Sequence, residues 1–169
     1  IATNQLEKAK SAAKEWHKAS PETAAPLIYL GNIATAEGAY QEAAQYLDKA
    51  SELNDAGNEV TYSRAKLLVA EGKKENAVAF IRAFIDENPS DVQALALWFA
   101  LAMENGDADA VVKHTQTQLN ANKGNINLRL LLARMYSLTS QLDKTVSLLA
   151  DVEGDASSPQ TFWNLKGQA

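Results

Sequence analysis

Small and apolar residues recur along this chain at helical spacing, in pairs of segments broken by a turn. Leu27, Leu30 and Gly31 lie three and four residues apart; after Gly38, the positions Ala43, Leu47 and Ala50 repeat that step. Residues so spaced share one face of a helix, so two short amphipathic helices joined near Gly38 are predicted. Gly31 and Ala43 would sit where the two axes approach closely, and Leu27, Leu30, Leu47 and Ala50 would fill the space around them.

The pattern returns every 34 residues without a gap. From Ala24, the next starts are Asn58, Val92, Ile126 and Gln160. The eighth place holds Gly31, Ala65, Phe99, Ala133 and Gly167, and the turn place holds Gly38, Gly72, Gly106 and Ser140. On the second helix, a small place holds Ala43, Ala77, Val111 and Thr145, and a large apolar place holds Leu47, Ile81, Thr115 and Leu149. Residues 1–23 supply the second helix of an earlier repeat, with Ala9 on its small place and Pro21 at its close; Pro89 closes the second full repeat. The chain divides into a half repeat 1–23, full repeats 24–57, 58–91, 92–125 and 126–159, and the start of another at 160–169, expected to form one domain over 1–169. Such units cannot bury their apolar faces alone and stack into a continuous core.

Helices are predicted near 4–19, 22–36, 40–53, 58–71, 74–87, 91–105, 108–121, 125–139, 142–152 and 159–169. Gly38, Gly72 and Gly106 suit the left-handed residue that ends a helix, and Asp91 and Asp107 suit N-caps. The third repeat departs most: Phe99 is bulky and Thr115 polar, so its second helix is expected to pack less well. The fourth repeat lacks the turn glycine.

The Leu30-Gly31 pair, Tyr40, Ala43, Leu47 and the closing prolines, with Trp163 and Gly167 opening a further copy, resemble the tetratricopeptide repeat, W-x₂-L-G-x₂-Y…A-x₃-F…P over 34 residues. The resemblance covers the whole chain. It implies an all-α, right-handed solenoid of antiparallel helix pairs, about ten helices, acting as a non-catalytic scaffold that binds a protein or peptide in a concave groove. By resemblance, the first helices line that groove with Ile28, Tyr29 and Asn32, then Tyr62 and Lys66, then Leu97 and Met103, then Asn127, Leu130, Leu131, Arg134 and Leu138. Tyr29 and Tyr62 are expected as contact residues, Trp98 and Trp163 as core, and Trp16 as the mark of an irregular first end. The clamp by which some members hold a C-terminal carboxylate is not expected: Asn32 fits one of its places, but Ile28, Gln93 and Leu97 stand where cations belong.

The groove so defined has a polar half, with Lys66 as its cation, and an apolar half. Leu97, Met103, Leu130, Leu131 and Leu138 would form a patch open to a peptide, with Arg134 and Lys66 meeting acidic groups. Alternatively, small Ala96 and Ala100 let neighbouring helices close over those leucines. Self-association is the competing function, since apolar faces around Leu6, Ala13, Trp163 and Leu165 end the array. A role in bacterial exopolysaccharide or envelope assembly is a third reading, suggested by the Ala-, Gln- and Asn-rich style.

Charge and composition narrow the chemistry. The net charge of −5 disfavours nucleic-acid binding, which needs a basic field. There is no cysteine, and His17 and His114 are far apart, so neither thiol chemistry nor a metal site is expected, and both histidines read as solvated surface residues. Asp107 and Asp109 suit a helix N-terminus better than an acid pair. No nucleophile motif or cofactor loop is recognisable, so neither catalysis nor a cofactor is expected. The longest apolar run, Ala94 to Met103, is about half the roughly 20 residues needed to span a bilayer, so no membrane insertion is expected of these residues. No signal-peptide pattern is recognisable; cytoplasm and periplasm both remain open, and a longer parent chain could carry a signal or anchor.

Overall fold

The computed structural model describes residues 2–150 and Gly167, with side chains from residue 5. Among the described residues there are nine helices and no strand: α1 (Ala2–Ala19), α2 (Ala24–Ala36), α3 (Tyr40–Ser51), α4 (Glu59–Ala70), α5 (Lys74–Glu87), α6 (Val92–Asn105), α7 (Ala108–Ala121), α8 (Ile126–Leu138) and α9 (Leu142–Leu149). Each lies within a few residues of its predicted span. Of the predicted helix at 159–169 only Gly167 is described, and it is helical. The chain forms two compact units, Ile1–Phe84 and Ile85–Ala169.

In the first unit α2 packs against α1, α3 and α4. Its core gathers Leu27, Ile28 and Ala34 of α2, Ala43, Leu47 and Ala50 of α3, and Val60 and Leu67 of α4. The close approach of α2 and α3 depends on Gly31. A Cβ there would lie 2.8 Å from both Cγ and Cδ2 of Leu47, inside van der Waals contact. Leu47 is fully buried and fills the space that the missing side chain leaves.

The start of α2 is held from a distance. Thr23 occupies the N-cap but its side chain makes no capping hydrogen bond. Instead Asp55, beyond the end of α3, accepts a 2.8 Å hydrogen bond from the backbone N–H of Ala24. This carboxylate satisfies one of the four free N–H groups of the helix start and sits at the positive end of its dipole.

In the second unit α6 packs against α7 and α8, and α8 against α7 and α9. Asp91 caps α6 as expected, accepting from Ala94 N–H at 2.8 Å. Asn125 caps α8 in the same way, from Leu128 N–H at 3.0 Å. Asp107 stands at the N-cap of α7 but its side chain accepts no capping bond. The expected looseness of α7 is not found. Phe99 is buried, and Thr115 is fully buried with its hydroxyl donating to the Val111 carbonyl at 2.9 Å. That bond one turn back satisfies the polar atom inside the core. Thr145 likewise donates to the Ala133 carbonyl, at 3.3 Å.

One turn joins the two helices of each full repeat. At Gly38, Gly72 and Gly106 φ is +76°, +79° and +81°, and the next residue donates its N–H five residues back: Ala39 to Ala34, Lys73 to Leu68, Asp107 to Ala102. This is the glycine-terminated helix end. The fourth turn keeps the geometry without the glycine: Ser140 has φ +60°, and Gln141 N–H reaches the Tyr136 carbonyl at 2.8 Å. A left-handed L-residue costs about 1–2 kcal/mol. Ser140→Gly is therefore expected to stabilise the second unit by about 1 kcal/mol, read as a higher urea midpoint; no gain would show that the serine is unstrained there.

Candidate functional site

The residues expected on the groove fall into three environments. In the second unit, α6 and α8 enclose an open cleft of about 300 Å³. Ala96, Phe99, Ala100 and Met103 line it from α6, and Leu131, Arg134, Met135 and Leu138 from α8. Leu131 is buried at its floor, at 9% exposure, while Met103 and Leu138 stand on its rim at 42% and 53%. The short side chains of Ala96 and Ala100 leave room above Leu131 and do not close it. Arg134 is exposed and is the sole charged group of the lining. Four of the expected residues (Met103, Leu131, Arg134 and Leu138) thus share one cleft. Leu97 is half-buried and Asn127 exposed, neither on its lining. Leu130 is buried away from it, packed with Ala133 and Leu149.

In the first unit the expected polar half is only partly exposed. Tyr29 projects from α2 with 57% of its surface exposed, its ring 6.0 Å from that of Trp16 and tilted by 41°. Trp16, itself 43% exposed, therefore adds a second aromatic surface beside Tyr29. Lys66 is exposed and Asn32 half-buried. Ile28 is buried in the core cluster. Tyr62, expected as a contact residue, is instead only 6% exposed, with its ring edge-on to Phe84 at 6.0 Å and 84°. Of the apolar end expected around Leu6 and Ala13, Ala13 is buried and Leu6 half-buried; Trp163 and Leu165 lie outside the described residues.

His114 departs from the solvated reading. Its Nε2 lies 3.1 Å from the Pro89 carbonyl and its ring packs edge-on to Trp98 at 5.8 Å, so it ties α7 to α6 and the preceding loop. His17 is half-buried. Among the described residues no group of three or more His, Asp or Glu side chains is placed to hold a metal ion, and no helix is long and apolar enough to cross a membrane.

A further pocket, of about 340 Å³, lies where α7, α8 and α9 meet. The repeat register gave no sign of it, because its residues lie off the groove places. The Tyr136 hydroxyl there donates to Gln116 Oε1 at 2.8 Å, and Lys144 stands 5.3 Å from the Tyr136 ring centroid. Burial pushes the Tyr136 phenol above its ordinary pKa and keeps it a donor. In the first unit burial, and then the carboxylate of Glu42, do the same to Tyr46.

Helix pairs joined by left-handed turns, with a small residue at the crossing of α2 and α3, define the tetratricopeptide-repeat fold, and solved structures of such arrays superpose on the chain. One is a tetratricopeptide repeat protein from Parabacteroides merdae, 19% identical with a TM-score of 0.58, matching 99% of this chain and 67% of that one. PilF of Pseudomonas aeruginosa matches at 14% identity and 0.57, over 91% of this chain and 72% of its own. MamA from Desulfovibrio magneticus, from residue 41 to its end, matches at 17% and 0.53, over 96% and 86%. No protein-family model matches the chain. No curated protein matches it either.

Proposed function

We propose that the chain is a non-catalytic scaffold whose repeats, one array over 1–169, hold a segment of a partner protein against the first helices. The observation that carries this reading is the α6–α8 cleft, an open apolar trough with one cation on its lining. Apolar surface left open inside a helical array favours a ligand that covers it. A short helix or extended segment would seat one or two apolar side chains over Leu131, between Met103 and Leu138. An acidic residue one turn or two positions away would meet Arg134. Tyr29 and Trp16 offer flat aromatic surface for a further contact in the first unit, with Lys66 as its cation.

The test is selection of peptides from a random library on the intact chain, followed by affinity measurement on Leu138→Asp and Arg134→Glu. Both positions are exposed, so helicity should be unchanged. Selected peptides are expected to combine apolar anchors with an acidic residue and to bind each variant at least tenfold more weakly. Affinity through Arg134 should also fall as salt rises. Peptides that bind both variants as well as the parent would sink the reading.

A further inference from the structure

The pocket at the meeting of α7, α8 and α9 lies on the side of α8 opposite the cleft. Arg129 and Tyr136 are seven residues apart and share one helical face, whereas Leu131, Arg134 and Leu138 occupy the other. Its lining mixes polar and apolar surface where that of the cleft is mostly apolar. Arg129 and Tyr136 come from α8, Gln116 from α7, and Lys144, Ser147 and the apolar Leu148 from α9.

Two cations at one pocket stand out in a chain of net charge −5. In the first unit, three cations meet carboxylates: Lys10 with Glu37 at 2.6 Å, Arg64 with Asp48 at 2.6 Å, and Lys73 with Glu71 at 3.1 Å. The Lys10 ammonium, which donates that hydrogen bond to Glu37, has its pKa raised. Among the described residues, Arg129 and Lys144 pair with no carboxylate. Arg129 donates to the Lys123 carbonyl at 2.9 Å, and Lys144 donates to Gln141 Oε1 at 2.7 Å. One bond each leaves most of the donors of the guanidinium and the ammonium unused. Asp143, next to Lys144 in sequence, does not line the pocket.

We propose that this pocket binds a phosphate monoester, its oxygens shared between Arg129 and Lys144. A planar guanidinium presents two parallel donors to a phosphate, the ammonium adds a point charge, and the Ser147 hydroxyl is a third donor type. A phosphate carries about −1.5 to −2 charge near neutral pH and three acceptor oxygens, so it meets two cations better than a carboxylate does. The Tyr136–Gln116 bond holds the side of the pocket formed by α7 and α8, and the volume admits the carbon chain that carries the phosphate. The same chemistry could arrive as a phosphorylated side chain of a protein or as a small phosphorylated metabolite. The site is independent of the groove reading, since it uses none of the cleft residues.

The experiment is calorimetric titration of the intact chain with three probes: the peptide Ala-Ala-phosphoserine-Ala-Ala, its glutamate counterpart, and inorganic phosphate. The phosphopeptide is expected to bind, with Arg129→Gln and Lys144→Gln each weakening it about tenfold and Leu138→Asp leaving it unchanged. A peptide tighter than inorganic phosphate assigns the site to phosphorylated protein; equal affinities assign it to small phosphate compounds, and either supports the proposal. Lys144 is exposed, so its substitution tests the site even if Arg129→Gln disturbs folding. The proposal is overturned by no binding at millimolar probe, by glutamate binding as tightly as phosphoserine, or by affinity indifferent to Lys144→Gln.

Discussion

Leu47→Ala is expected to lower the stability of the first unit by about 2–5 kcal/mol, the range for emptying a fully buried leucine site. Leu47 touches nothing but protein, and its neighbour across the helix crossing is the missing side chain of Gly31. The two positions must therefore be coupled. Alone, Gly31→Ala gains roughly 1 kcal/mol of helix propensity but drives a methyl to 2.8 Å from Leu47 Cγ, an overpacking worth about 1–3 kcal/mol. The net is destabilising. In the Leu47→Ala background the space is vacant and the same change should become stabilising. A double-mutant cycle by urea unfolding measures the change of sign; additivity within about 0.5 kcal/mol would mean that the crossing relaxes freely.

The second large effect is expected at Asp55. Its replacement by Ala removes the acceptor from the N–H of Ala24, a residue fully buried at the start of α2. A buried donor left without a partner costs about 1–3 kcal/mol. Asp55→Asn keeps an acceptor oxygen but loses the charge at the helix dipole, so it should fall between parent and Ala. Thermal unfolding of the three chains checks the order. Equal midpoints would show that water replaces the carboxylate at no cost.

Helix positions and turns were legible because they depend on local spacing. The 34-residue register places Gly38, Gly72 and Gly106 at left-handed turns and Asp91 at a cap, all features of a few consecutive residues. What the register could not give is how far each helix is rotated. Tyr62 and Leu130 occupy groove places by family pattern, yet Phe84 covers the first, and Ala133 and Leu149 pack on the second. A small rotation moves a residue from rim to core without altering the period. The Asp55 cap joins residues 31 apart in sequence, and no periodicity reports such a bond. The α7–α9 pocket leaves no mark in the register for a different reason. Family resemblance directs attention to first helices and their inner face, and Arg129 and Lys144 lie off it. The polar Thr115 predicts looser packing because the bond to Val111 that satisfies it is invisible in one-letter code.

The turns between paired helices carry one further consequence. At Gly38, Gly72 and Gly106 no atom beyond the glycine and its two chain neighbours lies within 4 Å of where a Cβ would stand, the reverse of the crowding at Gly31. Size is thus no constraint at these three joints; chirality is. A D-residue adopts such a φ without strain, whereas an L-residue of any bulk must bear the conformational cost that Ser140 already bears at φ +60°. The one glycine in the α2–α3 crossing is a matter of volume, and the three in the turns are a matter of handedness.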